Sequence, residues 1–330
     1  MTDRNPEALA DALLQGDRRA LARAITLLES TRPEDREPGN QLLARVAPQA
    51  GSSIRIGISG VPGVGKSTFI ESLGNYLLDE GHRVAALAVD PSSALSGGSI
   101  LGDKTRMETL SRRAEAFIRP SPAGGTLGGV ARHTRETMLL LEAAGFDVVI
   151  VETVGVGQSE TAVAEMTDMF MLMLLPGGGD ELQGIKRGIV ELADLVVVNK
   201  ADGDLAPAAG RAAADYRNAL GFLHPRHPDW EVPVTTCSAL NNEGIQAIWA
   251  TVEQFSEAMS ANGELQRARA AQAQTWLWDE TAEKLLERLK SDPAIGKRIG
   301  DLEEAVGAGQ TSPRVAAQEL VEHFWKQEED

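Results

Sequence analysis

Three short segments carry residue types whose spacing could do chemistry. Gly60-Val61-Pro62-Gly63-Val64-Gly65-Lys66-Ser67, followed by Thr68, fits the phosphate-loop pattern. Glycines there let successive N–H groups face one concavity, and the N-terminus of a following helix adds positive potential. Lys66 would reach the outer phosphates and Ser67 would place its hydroxyl on Mg²⁺. Asn199-Lys200-Ala201-Asp202 offers a means of reading the base. An aspartate in that position accepts hydrogen bonds from N1–H and the exocyclic amine of guanine, the asparagine braces the loop, and the lysine stem covers the ring. Cys237-Ser238-Ala239-Leu240 has the character of a companion loop whose backbone N–H reaches guanine O6. Adenine would leave Asp202 unmatched, a mismatch that can cost roughly 10⁴-fold. The expected ligand is therefore GTP.

Several acids could serve the metal that accompanies a triphosphate. Asp90 and Glu152 each end an apolar run, and Asp103 lies in a small-residue loop over 92–103. Magnesium keeps several waters and takes few protein ligands, so Ser67, Asp90, Asp103 and Glu152 form the candidate set, some acting through water. Lys66, Glu152 and Asp103 are the catalytic candidates. A further glycine-rich stretch, Gly177-Gly178-Gly179-Asp180-Glu181-Leu182-Gln183-Gly184, runs on to Lys186 and Arg187. We read Gly177, Gly178, Gly179, Asp180, Glu181, Gln183 and Lys186 as a switch or relay to a partner; the bland reading is a connection between strand and helix. The glycine-rich stretch 121–129 receives no role.

These residues need a scaffold that aims them at one place. Ile54, Ile56 and Ile58 alternate up to Gly60, and a helix is expected over 67–79. Further strands are expected over 83–90, 114–120, 146–152, 169–175, 195–199 and 232–238, with helices over 130–144 and 208–220. Apolar strands alternating with helices indicate a mostly parallel sheet covered on both faces, the doubly wound α/β architecture. In such sheets ligands bind beyond the carboxyl ends of the strands, where all three motifs fall. The flanks differ. Residues 1–50 read as a helical extension with Leu13, Leu14, Leu21, Ile25 and Leu28 on helical spacing, and a charged, Pro-containing break is expected over 31–39. The GTPase domain is expected over 51–257. Beyond it, 258–330 shows a helical seam at Trp278, Ala282, Leu285 and Leu289, and holds Trp276 and Trp325. That seam either caps the main domain or buries its stripe against a second subunit.

Composition sets limits. An apolar share of 42% in 330 residues describes an ordinary chain with a real core. The formal net charge of −16, with no strong basic stripe, argues against nucleic acid and anionic lipid as partners. Screening over distance leaves the local N–H groups and Lys66 to decide phosphate binding. The apolar run at 169–175 is too short to span a bilayer. The N-terminus lacks the apolar centre of a signal peptide, and Cys237 is the single cysteine, so a reducing, cytoplasmic setting is expected.

Taken in order, these segments resemble one family. Gly60 to Thr68, Val89-Asp90-Pro91-Ser92-Ser93, the run from Ser96 to Met107, that from Glu152 to Glu160, that from Gly179 to Lys186, and Asn199-Lys200-Ala201-Asp202 together look like the MeaB/ArgK GTPases associated with methylmalonyl-CoA mutase. The resemblance is strong over residues 50–257 and looser in the flanks. It implies a P-loop NTPase with a SIMIBI-type G domain, using Mg²⁺. It also implies a G-protein chaperone that docks on an adenosylcobalamin-dependent mutase, gates delivery of cofactor, protects the mutase, and forms homodimers through C-terminal helices. The chain has no Asp-x-His-x-x-Gly segment of the kind that ligates cobalamin, so no cobalamin ligand of its own is expected.

Hydrolysis requires a positioned water and neutralised charge on the phosphates. No glutamine directly follows Gly155; Val156 does, and Gln158 lies two positions on. Intrinsic turnover is therefore expected to be slow, with a partner completing the site. Three alternatives stand beside this reading, one of them a nucleotide-locked scaffold without turnover, which a phosphate-release assay separates. A metallochaperone GTPase would want a Cys/His cluster, whereas His224 and His227 are the only close histidine pair and read as loop residues. A protein kinase of a transport system would need an acceptor-binding module, and none is recognisable.

Overall fold

A computed structural model describes residues 5–89, 107–120, 127–153, 159–177, 187–223 and 226–328. Contacts divide the chain into two compact units, 1–268 and 269–330. In the first unit, strands β1 (Ile54–Gly60), β2 (Val84–Val89), β3 (Ala116–Arg119), β4 (Val148–Thr153), β5 (Met169–Leu174), β6 (Leu195–Val198) and β7 (Val234–Thr236) form one sheet in the order β3-β2-β4-β1-β5-β6-β7. Every pairing is parallel. The chain leaves β1 toward one side of the sheet and later builds the other side. The loop after β1 therefore lies at the switch point, where a crevice opens.

Alternation in the strands explains the two covered faces. Val148 and Ile150 of β4 face one core with Ile56 and Ile58, while Val149 and Val151 face the other. The first core is closed by α4 (Lys66–Asp79), through Phe69, Ile70, Leu73 and Leu77, and by the helix Ile245–Ala261, through Ile248, Trp249, Val252 and Phe255. The second is closed by the helix Leu127–Ala143 and by α1 (Pro6–Leu14), α2 (Arg18–Leu28) and α3 (Pro33–Val46). A third cluster packs the helix Ala206–Leu220 onto β6 and β7. The N-terminal helices thus share a core with the sheet. Their starts are capped by Asn5, which accepts from the Glu7 N–H at 3.0 Å, and by Asp17, which accepts from the Arg19 N–H at 2.7 Å.

The stretch expected as a break at 31–39 is mostly helix. Pro33 occupies a first-turn position where no N–H is needed, and Glu34 and Asp35 complement the helix dipole there. Pro38 lies inside this helix, and the break shrinks to the residues before Pro33. Most strand ends are one or two residues shorter than the apolar runs suggest, because pairing stops where loops leave the sheet; β4 instead runs one residue further, to Thr153.

The second unit holds most of the helix Glu264–Ser291 and the helices Pro293–Gly307 and Pro313–Glu328. Ile295, Leu302, Ala316 and Phe324 are buried within it. No residue of the 28-residue helix Glu264–Ser291 is buried, and Trp278, Leu285 and Trp325 are exposed. No helix among the described residues is long and apolar enough to cross a membrane.

Candidate functional site

The phosphate loop joins β1 to α4 and owes its path to two glycines. A side chain at Gly60 would come within 2.5 Å of the Met173 carbonyl of β5. Gly65 has φ +96°, and a side chain there would meet the Asn199 amide nitrogen at 2.7 Å. Among the described residues no side chain caps the start of α4, and the first-turn amides of an uncapped helix suit an anion. Lys66 is only 7% exposed, and its ammonium donates to the Gly60 carbonyl at 2.7 Å with the Val61 carbonyl at 3.5 Å. Pro62, Gly63 and Thr68 are exposed, and Val64 is buried in the core behind the loop.

Next to the loop, the strand ends bring polar groups together. Glu152, half-buried near the end of β4, accepts from the Ser67 hydroxyl at 3.4 Å. Beneath them the buried Thr153 hydroxyl donates to the Ser59 hydroxyl at 2.9 Å, tying the ends of β4 and β1. Ser67 and Glu152 offer hard oxygens, the donor type Mg²⁺ takes. Asp90 and Asp103 lie outside the described residues, as do Val156, Gln158 and His224. So do Gly178, Gly179, Asp180, Glu181, Gln183 and Lys186 of the expected relay; Gly177, exposed with φ +110°, ends the described part of that loop.

Asn199 connects the phosphate and base sides. It follows β6, is 2% exposed, and donates through Nδ2 to the Val64 carbonyl at 2.9 Å. Its Oδ1 accepts from the Ala239 N–H at 3.0 Å and from the Cys237 thiol at 3.4 Å. Burial pushes the Cys237 thiol up to about 12, so it is a neutral donor here. Lys200 adopts φ +58° and its ammonium donates to the Gly63 carbonyl at 2.8 Å, bridging the same two loops. Asp202 is half-buried in extended backbone at the head of a short 3₁₀ turn. The Ser238–Glu243 turn is closed by two backbone bonds of 3.0 Å, with the Asn241 N–H donating to the Ser238 hydroxyl at 3.2 Å. Leu240 is 77% exposed at its tip. The Ser72 hydroxyl of α4 donates to the Ala239 carbonyl at 2.6 Å.

Lys66, Ser67, Glu152, Asn199, Lys200 and the 238–240 turn are thus held in one hydrogen-bonded array at the carboxyl ends of the strands. Ser59, Ser72 and Thr153 belong to it too. Sequence reading did not single them out, because lone hydroxyls in a strand or helix have no diagnostic spacing.

The opposite end of the sheet holds its own charged groups. Arg55 at the start of β1 meets Glu142 through both nitrogens at 2.8 Å, and Glu142 also accepts from Ser53 at 2.6 Å and the Gly51 N–H at 2.7 Å. Burial pushes this carboxyl up, but the Arg55 bond and charge outweigh it and hold the group below its ordinary value. Asp194, immediately before β6, accepts from the Phe170 N–H at 2.8 Å and lies 3.4 Å from Arg226. Burial raises its carboxyl to about 6 against the Arg226 charge and that N–H. His227, 3.5 Å away, is held below its ordinary value by burial and then by Arg226.

The chain is similar to several known proteins. The family model described as methylmalonyl Co-A mutase-associated GTPase MeaB matches residues 21–294. GTPase ArgK of Escherichia coli is 47% identical over 98% of this chain and 98% of its own. The mitochondrial methylmalonic aciduria type A homolog of Mus musculus is 50% identical over 96% of this chain and 79% of its own. The crystal structure of a LAO/AO transport system kinase superposes with a TM-score of 0.76 at 40% identity, covering 98% of this chain and 99% of that one.

Proposed function

The chain belongs to the MeaB family of methylmalonyl-CoA mutase-associated GTPases, and on that premise we propose that it is a chaperone of an adenosylcobalamin-dependent methylmalonyl-CoA mutase. It hydrolyses GTP, and the proposal assigns that hydrolysis to gating cofactor delivery and protecting the mutase. The observation that carries this reading is the family match across residues 21–294, joined to an array in which Asn199 links the phosphate loop to the base loop.

Within this reading, each residue has a part. The Gly60-to-Thr68 loop and Lys66 bind the phosphates, and Asp202 accepts from the Watson–Crick edge of guanine while the 238–240 turn meets O6. Ser67 and Glu152 hold Mg²⁺, with Asp90 and Asp103 in the proposed set. When bound, the ion supplies charge neutralisation across the outer phosphates. Lys66 stabilises charge that develops on the transferred phosphoryl group, and Glu152 orients water at the strand end. The segment 177–186 relays the nucleotide state to the mutase.

A second copy of the chain is part of the proposal. The exposed Trp278, Leu285 and Trp325 support burial of the C-terminal helices against a partner subunit, since large apolar groups gain from leaving water. A cytoplasmic setting is also proposed, with the single Cys237 in support.

Phosphate release from GTP, measured with and without purified mutase, tests the partner-completed site. A rise of about 10³-fold or more is expected if the mutase supplies a charged or water-orienting group. An unchanged rate would remove that part of the proposal. A second reading, phosphoryl transfer to a protein, is suggested by the solved relative described as a transport system kinase. Labelled γ-phosphate appearing on a protein rather than in solution would favour it. No group of three or more His, Cys, Asp or Glu side chains that could hold a metal ion occurs among the described residues.

A further inference from the structure

Serines inside helices usually bond back to a carbonyl of their own preceding turn. Ser72 does not. Its hydroxyl reaches from α4, the helix that opens with Lys66, to the Ala239 carbonyl at 2.6 Å, across 167 residues of sequence. That oxygen and the Leu240 N–H belong to one planar peptide unit, so fixing the oxygen fixes the direction in which the N–H points. A donor on the oxygen also polarises the unit and strengthens the N–H as a donor.

The surroundings make this contact matter. The Ala239 N–H is engaged by Asn199 Oδ1 at 3.0 Å, which leaves the Leu240 N–H as the next donor of the turn. The Leu240 side chain is 77% exposed, so its packing does little to orient the peptide. The Ser238–Glu243 bonds close the turn from behind, and Gly244 with φ +80° turns the chain into the next helix. Ser72 is the side-chain contact that grips the Ala239–Leu240 peptide unit from the phosphate side.

We propose that Ser72 is a positioning residue for guanine specificity: by holding the Ala239 carbonyl it aims the Leu240 N–H at the purine 6-oxygen. An N–H there meets an acceptor in guanine and faces the 6-amino donor of adenine, so the same contact favours one base and opposes the other. Base recognition is thereby tied to the helix that binds the phosphates. The inference rests on the reading of the 238–240 turn as the O6 contact and adds the residue that orients it.

The test is a set of calorimetric affinities in Mg²⁺ for GDP, IDP and 6-thio-GDP. IDP keeps O6 but lacks the 2-amine, and 6-thio-GDP replaces O6 with sulfur, a weak acceptor. Ser72→Ala is expected to weaken GDP and IDP alike by about 3- to 10-fold, the worth of one ordinary hydrogen bond. It should weaken 6-thio-GDP by less than about 2-fold, because little of that bond exists to lose. Ser72→Thr, which keeps the hydroxyl, should restore the GDP affinity. Equal losses for all three nucleotides would reduce Ser72 to a general structural role and overturn the proposal, as would no loss for any. If the unsubstituted protein failed to prefer GDP over 6-thio-GDP, the O6 reading itself would fall and the proposal with it. That result is distinct from a preference that survives in Ser72→Ala, which would sink the Ser72 role alone.

Discussion

Asn199 and Asp194 bracket the same four-residue strand, β6, and their fates differ. Asn199 leaves the carboxyl end and is satisfied on both sides, donating to Val64 and accepting from Ala239 and Cys237. Asp194 precedes the amino end, and only Oδ2 is well held; among the described residues Oδ1 has no hydrogen-bond partner, His227 lying 3.5 Å from it. One is a neutral amide that links two loops by short bonds. The other is a buried carboxyl whose ionisation is opposed by its surroundings. At the loop end neutral side chains hold the backbone of the two loops, Asn199 on Val64 and Ala239 and Ser72 on Ala239. At the far end charges face one another, Arg55 with Glu142 of the helix Leu127–Ala143 and Asp194 with Arg226. On the proposed function, the sheet separates recognition at its carboxyl end from cohesion at its amino end.

That separation can be broken by substitution. The largest effect is expected at the far end, from Glu142→Ala, which strands Arg55 with the Ser53 and Gly51 donors. Removing one partner of a buried ion pair costs about 3–5 kcal/mol, to be read by chemical unfolding, while GDP affinity of the folded protein should stay within about 2-fold. Asn199→Ala should do the converse. Leaving the Val64 carbonyl and the Ala239 N–H unmatched, it should weaken GDP about 10²-fold, a loss calorimetry would register. If either substitution moved both quantities equally, the two ends would not be doing separate work.

A subtler probe uses pH. The Asp194 carboxyl rises from an ordinary value near 3.8 to about 6 in the folded chain. A carboxyl raised on folding binds its proton more tightly in the native state, so its contribution to stability is present below 3.8 and lost as pH rises through about 6. His227, lowered on folding, acts in the opposite sense, contributing above its ordinary value and losing that contribution as pH falls. The raw slope therefore mixes the two. The difference between the unsubstituted chain and Asp194→Asn isolates the carboxyl, and should change by about 3 kcal/mol or less between pH 4 and 7. A pH-independent difference would show that Asp194 titrates normally.

Much of this arrangement is legible in the sequence, for physical reasons. A phosphate loop needs glycines where a Cβ would strike Met173 or Asn199, so its residue types are constrained one by one. In Asn199-Lys200-Ala201-Asp202, Asn199 and Lys200 are likewise tied to particular partners, Val64, Ala239 and Gly63. Alternating apolar runs mark the strands because the sheet is covered on both faces. Ser72 is illegible because a single serine in an amphipathic helix has no spacing to betray a contact 167 residues away. The Asp194–Arg226 pair is hidden likewise, its partners separated by 32 residues and an intervening strand and helix. Residues 33–39 mislead because proline and charge read as a break, whereas Pro33, Glu34 and Asp35 are suited to a helix start.

In the proposed function, Asp202, which follows the carboxyl end of β6, reads the guanine of a nucleotide whose phosphates lie in the Gly60-to-Ser67 loop. Competitive binding of GDP and xanthosine diphosphate to Asp202→Asn measures it directly. An aspartate accepts from N1–H and the 2-amine, while an asparagine amide can donate to the 2-oxygen of xanthine. The preference is expected to swing toward xanthosine diphosphate by roughly 10⁴-fold. A substituted protein that kept the original preference for GDP would contradict that claim.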